Sequence, residues 1–556
     1  MAVDDYSTGG MLEGEREYSA LKKQAFLVVQ PDIPPTSINS LPNETLASIF
    51  EFAAGAAWNE FLPLQARVEL TVSQVSRRWQ SVALSTPRLW TRIDGVNGHL
   101  APLFASRSKC LPLDIELLSA PLDKIFNKRC DLSATQHSNG PAKRPVDLSH
   151  TLSPLVSHTS RWRTLQVECT HMSEFDLLLA PAPQLETLHI AVSRPEVRPL
   201  GAPRELFSGQ TPSLRDLSFT GFHPNLTGPL FAGLKALRLA HLNYTADSLP
   251  RFLLNLAACP SLEHLGLAHL SFSSGARLDD PHSIPLPHLR SMELRHIDES
   301  TRKCILSSIH APPSLHLSLV SHGNGDELHH IFPRDFDFSV NLPNLPLVRF
   351  LAIEHSIRQR SCTVSGKVSE DATDSLFDAL FEGESVDFME KLFHNVGRIF
   401  PFRDVEALSL QCDVRGYECP LPSSLAALLR GFPSLRVLAL DSYSPAYLDK
   451  LIITPASCPS RKLHTLRIAN SNVTEEVLME LARSRTNPES LAHEDVVRLR
   501  ILELSGYHGI PQDRCQGVKR ALKDLALDVR WDQYGMTQME QGSSPLRELE
   551  PSIASH

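Results

Sequence analysis

The sequence predicts a mixed α/β chain in two parts. A short all-helical module comes first, and a solenoid of stacked strand–helix units follows, with parallel strands on a concave side and helices on a convex side. Three observations predict it. A six-residue pattern, L-x-x-L-x-L with conservative apolar swaps, recurs through most of the chain. Stretches with helical apolar spacing separate many of the copies. Ahead of them all, residues 38–92 hold apolar-striped helical segments in a different rhythm.

The chain has 556 residues, which calls for several domains or one elongated repeat domain. Apolar content of 42% and charged content of 21% suit a packed core. A net charge of −9 argues against a nucleic-acid footprint, and no apolar run is long enough to span a bilayer. The start lacks a signal-peptide pattern. Ten cysteines stand singly with no CxxC, so reduced thiols in a cytoplasmic or nuclear protein are expected.

The clear copies begin one residue after Gln184, Ser213, Gly233, Ser261, His288, Asp404, Ser434, Lys462 and Arg498, at the first apolar position. Weaker ones begin one residue after Arg161, Leu347 and Ala521. Steps between the first apolar positions run 29, 20, 28 and 27, then 30, 28 and 36 residues. A fixed short core at a drifting period is the mark of a repeat architecture. The fourth and sixth residues of each copy point the same way from a strand and need a cover. The segments 248–260, 423–433 and 474–484 supply one, with Thr474 as an N-cap and Glu475 and Glu476 in a first turn. No unit buries its own face alone, so the units stack.

This pattern resembles the leucine-rich repeat family from about residue 105 to 535. One feature departs from it. The family's Asn, three residues after the third Leu, is replaced here by Ser193, Phe222, Leu242, Leu270, Ile297, Tyr443, Ser471 and Tyr507. Irregular turns and variable curvature are therefore expected. Inserts are expected near 119–160 and 355–400. The first is a polar loop. The second is a polar start to 372, then an acidic-faced helical stretch, with one strand lost or hidden between Val348 and Val405. Segments 1–37 (in part) and 536–556 are expected to be disordered.

Within 38–95, Pro42 suits a helix start, and Leu46, Ile49, Phe50 and Ala53 share one face. After a break at 55–64, Val72, Val75, Trp79 and Val82 mark a second helix face, and "TPRLW" closes the module. Leu89 and Trp90 are expected to pack on the first repeat. This order resembles an F-box, and especially the F-box-like proteins of mushroom-forming fungi. The stretch between its helices is several residues longer than usual. The resemblance implies docking on a Skp-type adaptor of a cullin-RING ubiquitin ligase. It carries adaptor contacts onto Leu41, Pro42, Leu46, Ile49, Phe50, Val75 and Trp79.

The third, fifth and seventh residues of each copy should face outward on the concave side. Client-binding candidates there are His189, Arg238, His264, Glu293, Arg295, Arg467 and Glu503. Their mixed charges suit a peptide or protein surface, with no nucleic acid and no membrane as partner. Neither metal-ligand spacing nor a phosphate loop nor a nucleophile motif occurs, so no cofactor, no metal and no catalysis are expected. The expected function is a non-catalytic substrate receptor of a ubiquitin ligase. The alternative is a ligase-independent repeat scaffold with a vestigial F-box.

Overall fold

The computed structural model describes residues 38–56, 67–95, 97–118, 148–169, 172–192, 205–224, 229–245, 248–272, 283–322, 332, 338–382, 386–400, 402, 404–414, 421–454, 458–487, 496–506 and 509–532. The expected segments 1–37 and 536–556 lie outside these residues. The chain divides into two compact units, residues 1–91 with 106–111, and residues 92–105 with 112–556.

The first unit is helical. Its helices are α1 (Asn43–Ala56), α2 (Val68–Val75) and α3 (Arg77–Ser85). The apolar stripe from Val72 to Val82 reads as one helix in sequence, but it is two. Ser76 is extended (φ −157°, ψ 163°) and caps α3, its side chain accepting from the Trp79 amide at 3.2 Å. A serine that satisfies an orphan amide makes a break cheaper than continuation. Leu46, Phe50, Val72, Val82, Ala83, Leu89 and Trp90 are buried. Trp90 donates its indole N–H to the Ala83 carbonyl at 2.9 Å, and the Arg107 guanidinium lies 4.3 Å from its ring centre.

The second unit is built on a 17-stranded sheet. In chain order its strands are β1 (Arg92–Asp94), β2 (Leu113–Leu117), β3 (Trp162–Cys169), β4 (Thr187–Val192), β5 (Asp216–Thr220), β6 (Ala236–Tyr244) and β7 (His264–Phe272). Next come β9 (Ser291–Arg295), β11 (His316–His322), β12 (Phe350–Ser356), β13 (Ser361–Lys367) and β14 (Phe377–Glu382). The last are β15 (Ala407–Cys412), β16 (Val437–Asp441), β17 (Thr465–Ala469), β18 (Ile501–Ser505) and β19 (Asp528–Asp532). A separate short parallel pair joins β8 (Ile284–Pro285) to β10 (Ile309–His310).

From β1 to β11 and from β15 to β19, neighbours in sequence pair in parallel, β8 and β10 apart. Fourth and sixth residues align across strands, as in Leu237–Leu265–Met292 and Leu239–Leu267–Leu294, and all six are buried. All nine clear copies of the pattern form strands, and so do those after Arg161 and Leu347. The copy after Ala521 does not. Helix α9 (Gln512–Asp524) runs through Leu522, and the strand is the next segment, "DVRWD".

The cover opposite the sheet includes α4 (Ser248–Ala257), α5 (Glu299–Ser308), α6 (Val386–Ile399), α7 (Pro422–Arg430), α8 (Glu475–Thr486) and α9. Thr474 caps α8 as expected, accepting from the Val477 amide at 3.4 Å. Tight turns do this work elsewhere, a left-handed one at Leu206–Gly209 and a 3₁₀ one at Pro229–Phe231. The 20-residue step between the copies at 214 and 234 leaves no room for a full helix. Of the expected insert 119–160, residues 119–147 lie outside those described. Residues 148–161 are a short helix and a 3₁₀ stretch that bury Leu148, Leu152 and Leu155.

The expected loop at 355–372 and helix after it are corrected too. In space the order is β11–β14–β13–β12–β15. β13 is antiparallel to both neighbours, while β14 and β12 are parallel to β11 and β15. Two strands are thus present where one was expected lost or hidden, and the helix begins only at Val386. Asn344, fully buried, ties the seam, its side-chain amide donating to the carbonyls of Leu315 at 3.0 Å and Leu376 at 3.1 Å.

The backbone just past each apolar core is more uniform than expected. The eighth residue of seven repeats is left-handed: Gly221, His241, His269, His296, Ser442, Asn470 and Gly506 have φ between 49° and 67°. Its amide continues the ladder, as in Gly221 to Ala240 O (2.8 Å), His296 to Val320 O (2.7 Å) and Asn470 to Ser505 O (3.0 Å). Backbone bonds between repeats thus serve these positions without the missing Asn. The rings of His241, His269 and His296 stack in sequence, with centroids 4.5 and 4.6 Å apart.

Candidate functional site

On the helical unit, the seven residues carried over from the resemblance separate by exposure. Leu46 and Phe50 are 0% and 1% exposed and form its core. They hold α1 in place and do not offer a surface. Trp79 is half-buried against Phe50, ring centres 5.0 Å apart. Leu41 is half-buried, and its carbonyl accepts from Arg78, which also donates to Asn43 Oδ1 at 3.1 Å. Pro42, Ile49 and Val75 are exposed. The structure adds Phe52, 80% exposed, together with Ile38 and Leu84. Ile49 and Phe52 are three residues apart and share a face of α1. Phe52 was readable in sequence as an aromatic residue lying off the buried stripe.

On the sheet, the candidates gather in two places on the helix-free face. The first spans β4 to β9. His189 is buried, contrary to the expected open position. The adjacent strand's Asp216 lies against it, His189 Nε2 to Asp216 Oδ1 being 3.3 Å. Burial alone would raise the Asp216 carboxyl, but His189 outweighs it and holds the group below its usual range. His264 Nδ1 is 2.8 Å from Ser291 Oγ. Arg295 pairs with Glu293 on its own strand. Arg238 and Glu293 flank Gly266 in register, so a notch without a side chain lies between them.

The second place lies over β15 to β19, a groove of about 610 Å³. Arg467, Glu503 and Arg530 sit in register on three adjacent strands. Glu503 bonds to both arginines at 2.8 Å. Arg467 also pairs with Glu370, which comes from residues 368–376 between β13 and β14. Burial works against the Arg467 charge, yet the two carboxylates hold its guanidinium above its ordinary value. Arg467 and Glu503 were legible in the sequence; Arg530 was not, because its strand lies outside the pattern's frame, nor was Glu370, which comes from a loop.

Among the described residues, no group of three or more His, Cys, Asp or Glu is placed to hold a metal ion. No described helix is long and apolar enough to cross a membrane. What this geometry supplies is two kinds of surface: exposed apolar anchors on a small helical unit, and polar grooves on a sheet.

A family model described as F-box-like matches residues 38–95. The chain carries an F-box-like domain. No curated protein matches the chain. Among solved structures, a leucine-rich-repeat protein of Leptospira interrogans aligns at 13% identity over 68% of this chain and 98% of that one. The TM-score is 0.20. The repeat architecture is seen in the in-register strands that follow the F-box-like domain in the chain.

Proposed function

We propose that this chain is a non-catalytic substrate receptor. Its F-box-like domain docks on a Skp-type adaptor of a cullin-RING ubiquitin ligase, and its repeat sheet holds a client protein. The receptor acts by proximity, raising the client's effective concentration near the ubiquitin-charged enzyme. Phe52 is the observation that carries the docking half. A ring 80% exposed on the same helix face as Ile49 loses favourable burial unless a partner covers it.

The test is Ile49→Asp with Phe52→Asp. Both side chains lie outside the unit's core, so helical circular dichroism should persist. Co-purification of the adaptor should fall at least about thirtyfold, since buried interface anchors contribute about 2 kcal/mol or more. Undiminished adaptor capture by the double variant would refute this docking face. Capture of a client without any adaptor by the wild type would favour the ligase-independent scaffold.

A further inference from the structure

The strap of residues 368–376 crosses the helix-free face of the sheet. Glu370 stands three residues beyond the end of β13, and it meets Arg467 on β17, four strands along the sheet from β13. Its last two residues are tied to the sheet, Ser375 Oγ donating to Phe377 O at 2.8 Å, the Leu376 amide donating to Gly366 O at 2.9 Å and the Leu376 carbonyl accepting from the Leu317 amide at 3.0 Å and from Asn344. Residues 368–374 are held more lightly. Val368, Glu370, Asp371 and Asp374 are exposed. The Ala372 amide donates to Ser369 O at 3.3 Å, a local bond. The ion pair with Arg467 joins residues 97 apart in the chain.

The groove beside it has room for an extended chain. Ser409, Ala439 and Ala469 are small residues in its lining. Its charged members differ in how firmly they are placed. Arg467, Glu503 and Arg530 are fixed by strand register, and Asp528 lies 3.4 Å from Arg530. Asp441 is held by Ser442 at 2.9 Å and Asn470 at 2.8 Å. Glu370 alone in this set comes from a loop. It is therefore the replaceable member, and whatever replaces it must offer what it offers, one carboxylate on an extended segment. A cation would have to split the strand-borne pairs. A phosphate would bring a second negative charge towards Glu503 and Asp441.

We propose that the strap is an intramolecular occupant of this groove, and that the groove's external ligand is a peptide segment whose single side-chain carboxylate replaces Glu370 at Arg467. This rests on the reading of the repeat sheet as the client-holding surface and names the client's chemistry there.

The experiment uses the full chain and three fluorescein-labelled ten-residue peptides of Gly and Ser. Each carries one central Glu, Gln or phosphoserine, and binding is read by anisotropy at low salt. The Glu peptide should bind most tightly. Glu370→Gln should tighten it about two- to fivefold, the range by which an exposed ion pair shifts an equilibrium. Arg467→Gln should abolish it. Hydrogen exchange over 368–376 should rise in Glu370→Gln and in Arg467→Gln, with no further rise when the two are combined. The proposal is overturned if the Glu peptide does not saturate, if the phosphoserine peptide binds better, if Glu370→Gln leaves affinity unchanged, or if strap exchange is additive in the double variant. Adaptor capture is scored separately: its loss with peptide binding intact would sink the receptor reading and leave this site standing.

Discussion

One substitution made at two glycines should have opposite signs. Gly397 lies in α6 and Gly517 in α9. A methyl group at Gly517 would meet nothing within 4 Å. There, Gly→Ala removes backbone freedom from the unfolded chain and should stabilise by about 0.5–1 kcal/mol. At Gly397 the same methyl would lie 2.5 Å from Gly431 Cα and 3.0 Å from Gly431 C and O, just past the end of α7. Those atoms are backbone, so no rotamer change relieves the contact. α6 and α7 must move apart, loosening the packing of Phe393, Val396, Leu425 and Leu428, all buried. Overpacking of this kind costs about 1–3 kcal/mol, and the propensity gain near a helix C-terminus is under about 1 kcal/mol. The clash should win, for a net loss of roughly 1–2 kcal/mol. Urea denaturation followed by circular dichroism, with hydrogen exchange to localise the change, measures both. If Gly397→Ala raises the midpoint as Gly517→Ala does, the helix contact described here is wrong.

Two further outcomes follow from single polar groups. Asp413 caps the turn between β12 and β13, accepting from Ser356 Oγ at 2.8 Å and the amides of Ile357 at 2.9 Å and Arg358 at 3.3 Å. Burial pushes its carboxyl up, but these bonds outweigh it and hold the group low. A depressed folded value means stability that is present above the unfolded value of about 3.9 and is lost as pH falls through the folded one. Acid should therefore weaken protection of the 356–361 amides in the wild type, and Asp413→Asn should flatten that dependence between about pH 2 and 5; equal slopes would refute the cap. Asn344→Leu should destabilise by about 1–3 kcal/mol, by stranding the buried carbonyl of Leu315 and removing one of the two bonds to the Leu376 carbonyl, and exchange should rise first in β11 and β14. A uniform rise over the whole sheet would contradict the seam.

The repeating strands were legible because their pattern is strong. Two large apolar residues at period 2, nine times over, leave little choice of face. The cap at Thr474 was equally plain. β13 was not, because its inward residues are Cys362, Val364 and Gly366, too small to stand out from a polar loop. Its two antiparallel neighbours also break the parallel strand–helix rhythm of the repeats. The break at Ser76 hid inside a stripe that continues in phase across it. At the candidate sites the sequence showed which residues face outward but not what they meet. Arg467 and Glu503 lie where expected, yet they are bonded to one another. His189 is closed off by its neighbourhood, and Leu46 and Phe50 proved to be core.

The reversed order at the middle of the sheet has a consequence for synthesis. Up to β11, each new strand leaving the ribosome finds its partner already in place, so the sheet can lengthen as the chain is made. β12 emerges next but has no strand to join, since its neighbours are β13 and β15. Only when residue 382 has been made can β14 settle against β11 and connect β12 to the earlier part. The N-terminal half can thus finish folding before these three strands dock together, and the strands from β15 onward can add only once β12 is in place. A chain halted between residues 323 and 376 would carry a complete first block with its β11 edge uncovered. Such an edge is a template for another chain, so stalling in that window is where this protein is most exposed to misassembly.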